Sequence, residues 1–345
     1  MLYVVLFFLI FSLYLYVLLG GADYGAGIVE LFSSKENQKI TKKTIYRVMG
    51  PVWEANHIWI IILIVILWIA FPAYYNIMVV NLHIPLTIFL LGVTLRGVAF
   101  VFRHYDAVID NSQKLYDGMF KISSLVTPIF LGMVFGALIS GEIKVVDDVS
   151  SLTFYEVFIH PWLNVFTVLV GFFFAALCAF LSAVLLIGEA AAINRTIYVR
   201  KAAIATIVVV LIGFITFIYG YFFDHVFVSE FIKNPYAMIA MLLSGLFLIP
   251  LWIAIRKSRR VVSRFFAGLQ VFLILFAALI AHFPEIIILE NGSVSLLENI
   301  APDSVIKVLG ISLIIGGAVI LPGLFHLLKS FKMIKILEPT ERESV

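Results

Sequence analysis

Charge is scarce in this chain: Asp, Glu, Lys and Arg make up 13% of its 345 residues, whereas 63% are hydrophobic. Together with a mean hydropathy of +1.10, that scarcity excludes a water-soluble globular domain. Cysteine is nearly absent as well. The lone Cys178 sits inside an apolar run, which rules out an intramolecular disulfide and any cysteine-based zinc or iron–sulfur site. Strand-type alternation is missing, so helices rather than a barrel cross the bilayer. No basic leader or small-residue cleavage site precedes Gly20, and the first apolar run therefore reads as a retained span, not a signal peptide. A net charge of only +3 implies no nucleic-acid surface.

What is present is long apolar sequence. A spanning helix needs about 20 mostly apolar residues. Nine charge-poor runs qualify, at roughly 2–22, 58–75, 79–100, 122–141, 161–188, 202–223, 236–255, 265–283 and 307–328. The link between the second and third carries no Lys, Arg, Asp or Glu, and with Pro72 and Asn76 it reads as a tight hairpin. Neither a long linker nor a soluble insertion interrupts the pattern, so residues 1–345 form one transmembrane domain.

Nine spans require the loops to alternate in Lys and Arg content, and they do. One set holds Lys35, Lys39, Lys42, Lys43, Arg47, Arg96, Arg103, Lys114, Lys121, Arg195, Arg200, Lys201, Arg256, Lys257, Arg259, Arg260, Arg264, Lys329, Lys332, Lys335 and Arg342. The other holds only Lys144, Lys233 and Lys307. A split of 21 against 3 puts the N-terminus outside and the C-terminus in the cytoplasm. Asp147, Asp148, Glu156, Asp224, Glu230, Glu285, Glu290, Glu298 and Asp303 fall in the outer loops, where solvation is their simplest role.

Ionisable groups within or at the end of a span are costly and mark pairing or functional sites. Asp23 lies roughly 33 Å down the first helix, near the inner edge, in the run Gly20-Gly21-Ala22-Asp23-Tyr24-Gly25-Ala26-Gly27. Glycines at that density let another helix approach closely. Glu30 follows Asp23 at seven-residue spacing, on the same face. A second cluster, Gly50-Pro51-Val52-Trp53-Glu54-Ala55-Asn56-His57-Ile58-Trp59, opens a helix directly after a basic loop. Pro51 suits a first turn. Glu54 and His57 share one face and Asn56 and Trp59 another, so the mouth of this span is ringed by groups of which two titrate and can relay protons. The same cluster also fits a helix N-terminus with a favourable acid and an aromatic belt. A third, Leu95 to Arg103, closes the third span with Arg96 and Arg103 seven apart; these can pair Asp23, Glu30 or Glu54, or serve as positive-inside anchors. Glu189, at the inner end of the fifth span, reads as structural.

A membrane haem needs His or Met ligands at depth. His83, His160, His225 and His282 lie towards the outer face and His57, His104 and His326 towards the inner one, while Met133 and Met241 have no obvious partner. No haem, other cofactor or metal is expected on this chain.

With these clusters in hand, the chain resembles the second subunit of cytochrome bd-type quinol oxidases, including the cyanide-insensitive branch. The carrying residues are GADYGAG at 21–27, Pro51-x-Trp53-Glu54-x-Asn56-x-x-Trp59, and Leu95 to Arg103, with Leu177-Cys178-Ala179-Phe180-Leu181 in support. The resemblance implies an all-α fold of two four-helix bundles plus one helix, in a prokaryotic cytoplasmic membrane. It also implies pairing with a haem-bearing first subunit that holds haem b and haem d, or a b-type replacement. That partner would oxidise quinol and reduce oxygen to water. Small single-helix subunits and membrane lipids complete the expected partners. Carried over residue by residue, Glu54, with Asp23 and His57, belongs to a proton path, Trp59 to the oxygen route, and Arg96, Arg103, Glu30, Trp53 and Asn56 to the supporting structure and its ion pairs. Two positions depart from the pattern: Glu54 stands where many members have Asp, and Val101 replaces an acid beside Arg103. The rival reading from the residues alone is a proton-coupled secondary transporter, whose signature includes glycine-broken helices with membrane carboxylates.

Overall fold

The structure is a computed structural model that describes residues 1–105, 112–145, 152–190 and 192–330. Side chains at 47–52, 54, 104–105, 192 and 328–330 lie outside that description. The side-chain expectations for Glu54, and for Arg47, His104, Asp147, Asp148, Lys329, Lys332, Lys335 and Arg342, therefore fall outside the described residues, whereas the helix start expected at Pro51 is corrected: one helix already runs from Lys35 to Ala70, so the basic segment at 35–47 is its first half and not a loop before it.

Apolar runs in lipid must pair their backbone groups internally, and the chain does so almost wholly in helices. These are α1 (Leu2–Leu31), α2 (Lys35–Ala70), α3 (Pro72–Asn81), α4 (His83–Tyr105), α5 (Ser112–Ser140), α6 (Phe154–Phe158), α7 (Val165–Glu189), α8 (Arg195–Phe222), α9 (Val226–Lys233), α10 (Pro235–Leu246), α11 (Leu248–Arg256), α12 (Arg260–Ile280) and α13 (Asp303–Ser330). A two-stranded antiparallel ribbon, β1 (Ile287–Leu289) with β2 (Gly292–Val294), is the one sheet among the described residues.

Among the described residues, eight helical stretches are long and apolar enough to cross a membrane, one of them α10 and α11 together. The apolar half of α2, Ala55–Ala70, makes a ninth when it is taken together with α3 as one bent span. Here the structure corrects the expected hairpin: α3 is bent 114° away from α2, with Pro72 in its first turn and Asn76 inside it. Proline fits that position because the first helical N–H has no intrahelical partner anyway. The second crossing thus ends at Ala70, and the third starts at His83 instead of near 79. The first run also differs from expectation, since α1 continues unbroken through the glycine run to Leu31. Close packing on three sides holds those glycines in the helix despite their low propensity. The fifth crossing begins at Val165 rather than 161, because Asn164 caps it: its Oδ1 accepts from Thr167 N at 2.9 Å while Thr167 Oγ1 accepts from Asn164 N at 3.2 Å.

α1, α2, α4 and α5 pack as one group and α7, α8, α10–α11 and α12 as another, with α1 and α5 meeting α7 between them. α13 leans on α1 and α2. Contact between the groups is glycine-to-backbone: a Cβ on Gly25 of α1 would overlap the Cys178 carbonyl of α7, and one on Gly132 of α5 would lie 2.8 Å from the Gly171 Cα of α7. One end of the bundle collects the basic segments, joined by Lys42–Asp117 and Arg264–Glu189 pairs at 2.7 and 2.5 Å. The opposite end carries acids tied locally: Glu156 closes a capping box with Thr153, and Glu290 meets Lys144 at 3.4 Å. The hydrogen bonds to Thr153 hold the Glu156 carboxyl below its ordinary range. At that end Tyr74 OH receives Ile286 N at 3.1 Å and donates to the Val294 carbonyl, pinning the ribbon over the helices.

Candidate functional site

The site begins with two matched spacings. Asp23 and Glu30 are seven residues apart on α1, and Arg96 and Arg103 are seven apart on α4. α1 and α4 run in the same direction, so an equal rise per residue lets both pairs form in register. Arg96 grips Asp23 with Nη2–Oδ1 at 2.6 Å and Nε–Oδ2 at 3.1 Å, and its Nη2 also donates to the Asp23 carbonyl at 2.6 Å. Its remaining Nη1 donates to Ser124 Oγ on α5. Seven residues on, Arg103 Nη2 meets Glu30 Oε1 at 2.7 Å. All four charged side chains are buried, with Asp23 and Glu30 both at 0% exposure.

Both guanidinium groups lie on the ring of Phe120, each 4.4 Å from its centroid, and Tyr24 and Tyr46 cover them at 5.3 and 5.0 Å. Flat cations between aromatic faces keep a favourable electrostatic contact where water is excluded. Arg103 Nε also lies 2.6 Å from Asp117 of α5, and Lys42 of α2 reaches both Asp117 oxygens at 2.7 Å. The line therefore runs Lys42, Asp117, Arg103, Glu30 from the basic end inward, then Arg96 and Asp23, with three cations balancing three carboxylates. Deeper still, Tyr24 OH pairs with Tyr16 OH at 3.0 Å. Nearer the basic end, Lys201 of α8 donates to Ser33 Oγ and Thr41 Oγ1 at 2.6 and 2.7 Å, tying the α1–α2 turn to the second helix group.

The second cluster divides between two faces of α2. Asn56 and Trp59 point into the bundle, at 0% and 3% exposure. Trp53 and His57 are half-buried elsewhere: Trp53 stacks on Phe100 of α4 at 5.1 Å, and His57 packs edge-on to Trp53 at 5.4 Å. Among the described members of the cluster, Asn56 and Trp59 thus share one face of α2 and His57 lies on another. Of the expected residues, the structure brings together Asp23, Glu30, Arg96 and Arg103. Asp117, Ser124, Phe120 and Lys201 were not foreseen. Asp117 lay in sequence taken as loop, whereas α5 already starts at Ser112 and places Asp117, Phe120 and Ser124 on one helical face. Asp117 also supplies Arg103 with the second carboxylate that Val101 does not provide. Glu189 pairs with Arg264, in keeping with the structural role read from its position.

Four of the described histidines are held by local contacts. His225 stacks on Phe166 at 4.3 Å with Nδ1 at the Ser140 carbonyl, and His282 stacks on Phe227 at 5.2 Å with Nε2 at the Phe227 carbonyl. His83 holds the Val80 carbonyl and His160 faces Glu142. Each is at a helix end and engaged locally. Among the described residues no group of three His, Cys, Asp or Glu side chains could hold a metal ion.

Comparison with known proteins decides the family, because the family model described as cytochrome bd terminal oxidase subunit II matches residues 1–331. The chain belongs to that family. Among curated members of this oxidase subunit family, it is 29% identical over 162 residues to the cytochrome bd ubiquinol oxidase subunit 2 of Bacillus subtilis, covering 46% of this chain and 45% of that one. It is 26% identical over 153 residues to the cytochrome bd-I ubiquinol oxidase subunit 2 of Escherichia coli K12, covering 44% and 39%. The matched region spans less than half the length of either relative. The structure of the bd oxidase from Geobacillus thermodenitrificans superposes with a TM-score of 0.72 over 95% of this chain and 97% of that chain, at 19% identity, so the fold is shared. A bd oxidase subunit II with these helices is a multi-pass protein of the bacterial cell membrane.

Proposed function

We propose that this chain works as a single membrane domain and as the haem-free second subunit of a quinol:oxygen oxidoreductase. It pairs with a haem-bearing first subunit that carries b-type haem and haem d or its b-type replacement, oxidises quinol and reduces oxygen to water. The basic end faces the cytoplasm, with the N-terminus outside, and small single-helix subunits and lipids bind around the pair. The haems supply the electron transfer, and this chain's own residues supply structure and protons.

One observation carries the reading: a charge-balanced line of side chains, Lys42 to Asp23, leads from the basic end into predominantly apolar helices. Desolvating six charges is expensive, and such groups within spans mark proton and ion routes. Glu54 and His57 stand where the apolar half of α2 begins, as entry groups that pass protons towards the partner. Asp23 holds the inner position. Trp59, buried against Phe11 at 5.7 Å, lines the oxygen route beside them. Arg96, Arg103, Glu30, Trp53 and Asn56 keep these helices in register. A proton-coupled carrier would instead gather its polar groups near the midplane, and the comparisons give that reading no support.

Purification from native membranes followed by a reduced-minus-oxidised spectrum tests the proposal. Haem bands are expected in the complex and none in the isolated chain. A colourless preparation without a redox partner would end the oxidase reading for this chain.

A further inference from the structure

Asn56 is fully buried, yet neither its amide oxygen nor its amide nitrogen has a hydrogen-bond partner among the described residues. Nε1 of Trp59, one turn along α2, shares that condition, as do Nε1 of Trp53 and Nδ1 of His57 on the same helix and Oγ of Ser12 on α1. Asn56 and Trp59 lie three residues apart on one face of α2, turned towards α1. Gly20 of α1 seats Asn56 so closely that a Cβ there would come within 2.7 Å of its Oδ1. Tyr16 precedes Gly20 by one turn along the same side of α1. Tyr16 shares one buried cluster with Trp59, and Phe11, next to Ser12, meets the Trp59 ring edge-on at 5.7 Å. Ser182 of α7 is also buried without a partner, but it lies against Gly25 towards α7 and is not one of this group.

A buried amide brings two donor hydrogens and an acceptor oxygen, and an indole brings a donor. Left unmet, each is costly in a low-dielectric interior, and native proteins satisfy such groups with protein or ordered water. Water is stable where two to four polar groups converge. The donors and acceptor of Asn56 and Trp59 match that need, and neither side chain is an acid or base that calls for an ion.

We propose that Asn56 and Trp59 hold a buried cluster of ordered water between α1 and α2. The cluster lies beside the Tyr16–Tyr24 hydroxyl pair, whose Tyr24 is adjacent in sequence to Asp23. It extends the polar line from Asp23 and Arg96 further into the span, with Asn56 as a positioning residue. The water site stands on its own geometry; its part in proton delivery rests on the function proposed above.

A map of the purified complex that resolves buried water is the test, joined to Asn56→Leu and Asn56→Asp variants. Ordered density within hydrogen-bond reach of the Asn56 amide is expected in the wild type. Asn56→Asp should retain it. Asn56→Leu should lose it, with haem content unchanged and oxygen consumption slowed several-fold with an altered solvent deuterium effect. A map that shows buried water elsewhere but none at Asn56 overturns the site, whether or not either variant folds. A Leu variant that loses the density yet keeps wild-type turnover and deuterium effect overturns the positioning role. Water at Asn56 in a complex without quinol oxidase activity supports the site and removes only the proposed function.

Discussion

Replacing Arg96 with Gln would leave Asp23 at 0% exposure without its guanidinium partner. The lost contacts are two charge-assisted bonds to the carboxylate at 2.6 and 3.1 Å, one to the Asp23 carbonyl at 2.6 Å, the Ser124 contact, and cation–π cover at 4.4 Å. Removing one member of a buried pair costs about 3–5 kcal/mol, chiefly because the other charge stays desolvated. If that is the mechanism, the double change Asp23→Leu with Arg96→Met should recover most of the loss, since an apolar pair of similar volume is about neutral. Lys233 and Glu230, paired at 3.1 Å on the surface, set the baseline, and Lys233→Gln should change stability by less than about 1 kcal/mol. Unfolding of the purified protein in mixed detergent micelles, titrated with a denaturing detergent, measures all three. The reasoning is refuted if Arg96→Gln unfolds no more readily than Lys233→Gln, or if the double variant is as weak as the single ones added together.

Gly25→Ala should separate α1 from α7 and lower assembly yield, because the added methyl overlaps a backbone carbonyl that cannot rotate away; Gly118→Ala on α5, which meets nothing within 4 Å, should instead stabilise by about 0.5–1 kcal/mol in the same titration. Asp117→Asn removes the charge shared by Lys42 and Arg103 and should slow oxygen consumption at constant haem content, read with an oxygen electrode. Burial holds the His282 imidazole below its ordinary value of 6.5, so the unfolded chain binds the proton more readily than the folded one. The stability tied to that neutral ring is therefore present above pH about 6.5 and is lost as pH falls through the lower folded value. Hydrogen exchange at the α9–α12 end should rise on acidification, and His282→Phe should flatten that rise.

Much of the fold was legible because lipid leaves few options: apolar length gave the helices, and Lys and Arg alternation gave their count. The α2–α3 bend was not, since Phe71-Pro72 in an uncharged run reads alike as a hairpin turn and as a break followed by a new helix. In the site, Asp23, Glu30, Arg96 and Arg103 stood out as charges within spans, and their equal spacings already contained the pairing. The aromatic and hydroxyl support was hidden. Phe120 is one of 32 phenylalanines, and nothing local distinguishes it until α5 carries it between two arginines. Lys201 likewise looked like any loop cation, because its partners Ser33 and Thr41 are more than 150 residues away in sequence.

The claim that this subunit feeds protons to a redox partner is tested most directly by quinol-driven oxygen consumption of the purified complex carrying Glu54→Gln, with haem content measured in the same sample. Full haem content with a rate reduced roughly tenfold or more is the predicted result. Full haem content with the wild-type rate would contradict it.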